Sequence, residues 1–414
     1  MIHQVKASDQ DVEKLRQVVE LQLRLLELAA NRTDPIDQTV IENHLKPFYG
    51  RRAGGIAKWI AAKRKSLLDK LNDVATYANM EEKRQFVKGF HADVELLYNP
   101  KPKQLQIAIS KDSPAWQQSA GDFCRHFYAL WGNEKGFPQY FFDSLNDSDY
   151  TRWDFIQSFL NENEGLYVCA ICDSTAYRTH RPDGRVFTSI EHFFPKSIYP
   201  HLAIHPYNLI PICSACNSLA GDKDIMSYCS SLGVRDLVLP YQSYQNGLSK
   251  EAYIEIRLRE DKDWREIHPL EIKMRPAQGT HSEKSIEIFN QIYDVENRWN
   301  QGITQIEEHV FRRIQQFLLI DVHLGNDLSD TAFVSNRLKI LMALISKENM
   351  GRDPFSFVTV WYLKRFIDSI EKEKDSLGVH STLRAWATQQ VAVWEQLKEH
   401  VQELYARVPS ATVN

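Results

Sequence analysis

Two C-x-x-C pairs constrain this chain more than any other feature of it. They are Cys169-Ala-Ile-Cys172 and Cys213-Ser-Ala-Cys216. A two-residue gap lets both sulfurs of a pair face one cation at about 2.3 Å, and two pairs complete a tetrahedron. Four thiolates leave no vacant position, so a zinc ion held by them is structural. The pairs are separated by the 40 residues from 173 to 212, where a plain zinc ribbon has about 15 to 20. The staple is therefore expected to enclose a folded segment. A lone C-x-x-C is often chance or a pair of buried thiols. Two pairs bracketing His- and Asn-bearing turns argue for metal. Cys124 and Cys229 are left over. The start, Met1-Ile2-His3-Gln4-Val5-Lys6, has no apolar core and no small-residue cleavage pattern. No secretory signal is expected, and the chain is expected in the cytoplasm, where such pairs read as metal before disulfide.

The enclosed segment carries Ser189-Ile-Glu191-His192-Phe-Phe-Pro195-Lys196-Ser197. Asn208 follows sixteen residues after His192 and leads Leu-Ile-Pro-Ile into Cys213, and Asn217 comes directly after Cys216. The pattern predicts a strand from Val186 to His192, a second from Asn208 to Ile212, and a helix beginning near Ser214. The run E-H-x-x-P, then N-L, then C-x-x-C-N resembles the HNH branch of the His-Me finger nucleases in its zinc-bearing form. The resemblance spans about residues 165 to 230. It implies a ββα-metal module that hydrolyses phosphodiesters with a divalent cation, Mg²⁺ or Mn²⁺, beside the structural zinc. It implies that His192 is the general base, that Glu191 and Asn217 hold the catalytic cation, and that Asn208 braces the loop presenting the histidine.

These residue types suit that chemistry. A neutral imidazole near pH 7 can take a proton from water, and a hard cation prefers oxygen ligands and can bind phosphate and leaving oxygens together. Neighbours on a strand face opposite ways, so Glu191 and His192 share a site only if the strand ends and turns there. Each residue also has a plain reading. His192 could be a core or surface histidine, Asn208 a turn cap, Asn217 a helix N-cap, and Glu191 an exposed strand residue. Two positions depart from the common pattern. Ala220 stands where many HNH proteins have a lysine, the nearest lysine being Lys223, and Glu191 stands where Asp is common. His201 and His205 are further candidates for metal or phosphate contact, although exposed loop histidines are the ordinary expectation.

The net charge of −4 over 414 residues excludes a dedicated nucleic-acid coat, but one local positive surface is enough to steer a nuclease substrate. Lys196, Lys223 and Arg185 are the candidate nucleic-acid contacts, with Arg178 and Arg181 nearby. A second basic stretch, Lys46 to Lys70, has Phe48, Tyr49 and Trp59 interleaved. It reads equally as a duplex grip or a solvated helix face.

The length implies two or three domains. Helical apolar spacing covers Val12 to Ala29 behind a Ser8/Asp11 capping signal, then residues 56 to 80. Residues 104–110 alternate like a short strand, and 253–259 like a half-buried one. Helical spacing returns after His281, with one helix marked by Ile286 to Val295 and another by Leu338 to Ile345. Asp353-Pro354 looks like an N-cap with proline at the first helical position, and a last helix is expected over Ser381 to Ala406. The expected fold is α+β, a small zinc-stapled ββα module between mainly helical flanks. The expected divisions are 1–150, 151–262 and 263–414. No apolar run suits a membrane span. No P-loop or dinucleotide fingerprint is present, so if an ATPase or sensor drives cutting, it is expected to be another protein. The arrangement resembles effector nucleases of bacterial anti-phage defence. DNA is the expected substrate, and a homo-oligomer follows if two strands are cut. An RNase on the same scaffold, or a zinc-stabilised binding module with an idle site, are the competing functions.

Overall fold

The computed structural model describes residues 3, 5–62, 67–133, 135–143, 148–164, 166–173, 188–228, 232–241, 252–258, 270–276, 283–349 and 352–407. The chain divides into two compact units, Met1–Tyr253 with Arg275–Val295, and Ile254–Met274 with Glu296–Asn414. The 1–150 region and residues 151–253 thus belong to one unit. The described residues are mostly helical, with two two-stranded sheets. None of the described helices is long and apolar enough to cross a membrane.

In the first unit, α1 (Asp9–Ala30) buries Leu15, Val18, Val19, Leu25, Leu26 and Ala29 along one face. Ser8 stands at its N-cap, but the hydroxyl makes no capping bond, and Asp11 instead accepts from the buried Tyr150 hydroxyl at 2.7 Å. Next come α2 (Gln38–Tyr49), α3 (Ala53–Ala62) and α4 (Leu68–Ala75), so residues 56–80 contain two helices where the spacing suggests one. Then follow α5 (Met80–Tyr98), α6 (Ala115–Trp131) and α7 (Arg152–Glu162). Lys83 on α5 is fully buried, and its ammonium donates to the carbonyls of Ala29, Arg32 and Ala75, which fastens the ends of α1 and α4. Cations at helix C-termini satisfy orphan carbonyls and oppose the helix dipole. A capping box between Thr151 and Asp154 starts α7.

Residues 104–110 are not the short strand that their alternation suggests. The buried carboxylate of Asp93 accepts from the backbone N–H groups of Gln106 (2.7 Å) and Ile107 (3.0 Å). A side chain thereby occupies donors that a ladder would use. Further along, Ile109 N–H donates to the Ile198 carbonyl at 2.8 Å. The segment thus ties α5 to the loop after His192.

That loop belongs to a ββα arrangement. β1 (Ser189–His192) pairs antiparallel with β2 (Leu209–Ile212) in the register Ser189↔Ile212 to His192↔Leu209, and α8 (Ser214–Ala220) follows directly. Both strands end at the expected residues, His192 and Ile212, whereas β1 begins only at Ser189. Residues 186 and 187 lie outside the described residues. Packed on α8 is α9 (Glu283–Tyr293), which stops where Asp294 turns to φ +51°. The helical pattern read through to Val295 is therefore broken there.

In the second unit, β3 (Ala252–Leu258) and β4 (Leu270–Pro276) form a hairpin-like pair, with Ile254 and Ile256 buried as alternation requires. The Asn300 amide on α10 (Val295–Gln301) bonds both N–H and C=O of Ile272, covering that sheet's edge. Then come α11 (Ile303–His323), α12 (Thr331–Leu344), α13 (Ser356–Lys372) and α14 (Val379–Arg407). The start of α13 differs from the Asp353-Pro354 expectation. The Asp353 carboxylate is taken by Arg313 at 3.2 Å, and the N-cap is Phe355 at φ +61°.

Candidate functional site

The four cysteines of the two pairs are buried and their sulfurs lie within 4.8 Å of one another. Cys169 and Cys216 are 3.9 Å apart at sulfur, as are Cys172 and Cys213. A disulfide needs about 2.05 Å, whereas sulfurs at tetrahedral corners around zinc are about 3.8 Å apart if each lies about 2.3 Å from the metal. The cluster therefore fits a four-thiolate zinc ion. Backbone N–H groups of Cys213 and Cys216 approach the sulfurs of Cys169 and Cys213 at 3.5 Å, favouring thiolate. Without a cation, burial pushes the Cys169 thiol well up. The first knuckle is locked by Asp173, which sits at φ +55° with its N–H on the Cys169 carbonyl. Asp173 is also bonded at 2.5 Å to His3, whose own N–H donates to the Ala170 carbonyl.

β1 ends at His192, and the chain bends at once through Phe193 and Phe194 into a turn after Pro195. Glu191 and His192 are each only 6% exposed. The His192 Nε2 lies 3.0 Å from the Ala203 carbonyl. A carbonyl only accepts, so Nε2 carries the proton and Nδ1 keeps its lone pair. The imidazole also stands edge-on to Tyr128, with centroids 4.4 Å apart. Burial, with the Lys196 ammonium second, holds His192 well below the usual imidazole range, so it is neutral near pH 7.

Glu191 is the reverse case. Among the described residues no donor bonds its carboxylate, and burial pushes it up to about 8, with Lys196 pulling down and Asp222 adding to the rise. A buried carboxylate without donors fits a cation. The charge of Lys196 acts on both Glu191 and His192.

Asn208 is fully buried and holds the loop between the strands shut. Its Oδ1 accepts from Phe194 N–H at 2.6 Å, and its Nδ2 donates to the carbonyls of Phe194 (3.0 Å) and Leu202 (2.9 Å). Asn217 is half-buried on α8, the helix that packs against β1, with its own N–H in the first turn on the Cys213 carbonyl. Comparison with protein families, curated proteins and solved structures yields no match.

The remaining candidates are distributed differently. Lys196 is half-buried, with its ammonium 5.4 Å from the Tyr128 ring centre. Lys223 donates instead to the carbonyls of Gln291 (3.2 Å) and Ile292 (3.0 Å), capping α9. Arg185, with Arg178, Arg181 and Cys229, lies outside the described residues. His201 and His205 are buried rather than exposed, because the loop between the strands folds against α5. His201 stacks on Phe90 and bonds Asp93 at 3.1 Å, and His205 packs on Tyr98. In the upstream basic stretch, Arg52 pairs with Asp143, Lys70 with Asp122, and Trp59 packs edge-on to Phe141. Trp59 thus joins the helical packing, whereas both ion pairs lie at the surface, and Lys63, Arg64 and Lys65 lie outside the described residues. Sequence reasoning missed Tyr128 and Arg152, which reach the site from α6 and α7. Only the capping box at Thr151 marks that region in the sequence, and it says nothing of where Arg152 points.

Proposed function

We propose that this chain is a metal-dependent endonuclease that hydrolyses phosphodiester bonds, DNA before RNA. The observation that carries the reading is a neutral imidazole with its tautomer fixed, next in sequence to a buried carboxylate that no donor among the described residues satisfies. His192 Nδ1 accepts the proton of an attacking water. An incoming phosphodiester brings negative charge close to Lys196, offsets it, and raises the basicity of the ring. The Ala203 carbonyl holds the imidazole in place throughout. Asn208 keeps the loop that carries both groups from opening. Glu191 and the amide oxygen of Asn217 would hold a hard divalent cation, which supplies charge neutralisation at the phosphate and leaving oxygens when bound. The four-cysteine zinc is structural. The setting we infer, on the sequence resemblance alone, is an effector nuclease of a defence system.

The test is digestion of supercoiled plasmid, single-stranded DNA and structured RNA by purified protein with Mg²⁺. His192→Ala should lose Mg²⁺-dependent cutting by about 10²–10⁴-fold. Equal cutting by variant and wild type removes His192 from the mechanism. Binding of nucleic acid without cleavage on every substrate marks an idle site, and cleavage of RNA alone moves the substrate class.

A further inference from the structure

The ββα segment provides no cation of its own on the helix that follows the second strand. The position where a lysine is common holds Ala220, 2% exposed, and Lys223 is committed to the end of α9. The cations that do face the site come from elsewhere. Arg152 is the first residue of α7 and is half-buried. Its Nη2 donates to the Tyr128 carbonyl, its guanidinium lies 3.7 Å from the Tyr128 ring centre, and its Nε is buried with no partner among the described residues. The same ring meets His192 edge-on at 4.4 Å and carries the Lys196 ammonium at 5.4 Å. Among the described residues no carboxylate pairs with Arg152 or with Lys196. A partly desolvated guanidinium without a counter-charge costs free energy. An anion entering beside His192 removes that cost, and guanidinium offers a fork of N–H groups to phosphate.

We propose that Arg152, stacked on Tyr128, grips the scissile phosphate together with Lys196, so that the helical N-terminal region completes the nuclease site. The inference rests on the nuclease reading and deepens it. Arg152 contacts the phosphate, and Tyr128 is a positioning residue that sets the guanidinium against the imidazole. Gly132 at the end of α6 makes room for it, since a Cβ added there would lie 2.5 Å from Arg152 Cζ. Gly132→Ala therefore displaces the guanidinium while keeping its charge.

The test is single-turnover cleavage of a short DNA duplex at saturating Mg²⁺ by wild type, Arg152→Gln, Arg152→Lys and Gly132→Ala, each checked for zinc content and melting. Loss of one preorganised charge-stabilising donor costs about 10²–10³ in rate, and that is the expected fall in kcat for Arg152→Gln. Arg152→Lys recovers part of it, and Gly132→Ala loses about tenfold or more. The slope of log binding against log salt falls by about one for Arg152→Gln, a change that a purely structural arginine would not produce. Folded Arg152→Gln with wild-type rate and salt slope overturns the grip. Should that variant fail to fold, a wild-type rate in Gly132→Ala overturns it. Wild type that cuts nothing sinks the nuclease reading and the grip with it, whereas wild type and Arg152→Gln cutting alike sink the grip alone.

Discussion

Replacing Glu191 by Gln should stabilise the protein when no divalent cation is bound to it. In the unfolded chain this carboxyl ionises near 4.5, and in the fold burial carries it to about 8. Between those values the folded state holds a proton that the unfolded state has released. Stability therefore falls as pH rises through this window, by about 1.4 kcal/mol per pH unit, and levels off above about pH 8. The full difference is about 5 kcal/mol as an upper figure. The charged groups facing Glu191 are Lys196 and Asp222, and neither changes the sign. Glu191→Gln keeps the shape and removes the proton, so its stability lacks this slope. The assay is urea unfolding of zinc-loaded protein without Mg²⁺, followed through the unit that carries the cysteine cluster. From about pH 6 to 8 the variant should gain about 2 kcal/mol on wild type. Adding Mg²⁺ or Mn²⁺ at about 100 times its Kd then returns about 2.7 kcal/mol to wild type and nothing to the variant. Parallel pH curves for the two proteins, or equal gains from the cation, would refute both the unpartnered carboxylate and its role as a ligand.

Other outcomes follow from the same geometry. Cys169→Ser or Cys213→Ser should lose the zinc ion and with it a structural contribution of about 10–16 kcal/mol, so the unit that carries the cluster should no longer show a cooperative melting transition, as elemental analysis and calorimetry would show. Asn208→Ala leaves the Phe194 N–H and the Phe194 and Leu202 carbonyls without their partner, which should cost about 3–5 kcal/mol in unfolding free energy. Gly136 stands at φ +55° with the Tyr150 carbonyl oxygen 2.1 Å from where a Cβ would be. Gly136→Ala should cost about 2–4 kcal/mol and separate the Phe137–Tyr150 bridge, measured as a lowered urea midpoint and faster amide exchange at those two residues.

What could be read in advance follows the range of each signal. The cysteine spacing is local, and the four sulfurs do converge. The turn after His192, the two short strands and α8 also follow from residues within a few positions of one another. Residues 253–259 alternate, and Ile254 and Ile256 are buried accordingly. The failures are places where a distant group intervenes. Asp93 draws residues 106 and 107 away from a ladder, and Arg313 takes the carboxylate that was to cap α13. His201 sits in a loop, and only the packing of that loop on α5 buries it. The placing of Arg152 and Tyr128 beside His192 depends on how α6 and α7 meet the strands, and no periodicity encodes that.

The tie between His3 and the first cysteine knuckle has a consequence for when the protein becomes whole. Residue 3 bonds Asp173, and Val5 pairs with Tyr241, whose hydroxyl in turn holds the Leu209 carbonyl of β2. Residues 3 and 5 thus wait for partners synthesised some 170 to 240 positions later. At about 5–20 residues per second, that delay is about 10–50 s, followed by closure of very long loops. The bracing of the first knuckle by His3 and the pairing of Val5 with Tyr241 are consequently late events, and on the proposed nuclease reading a half-made chain has no fully braced site.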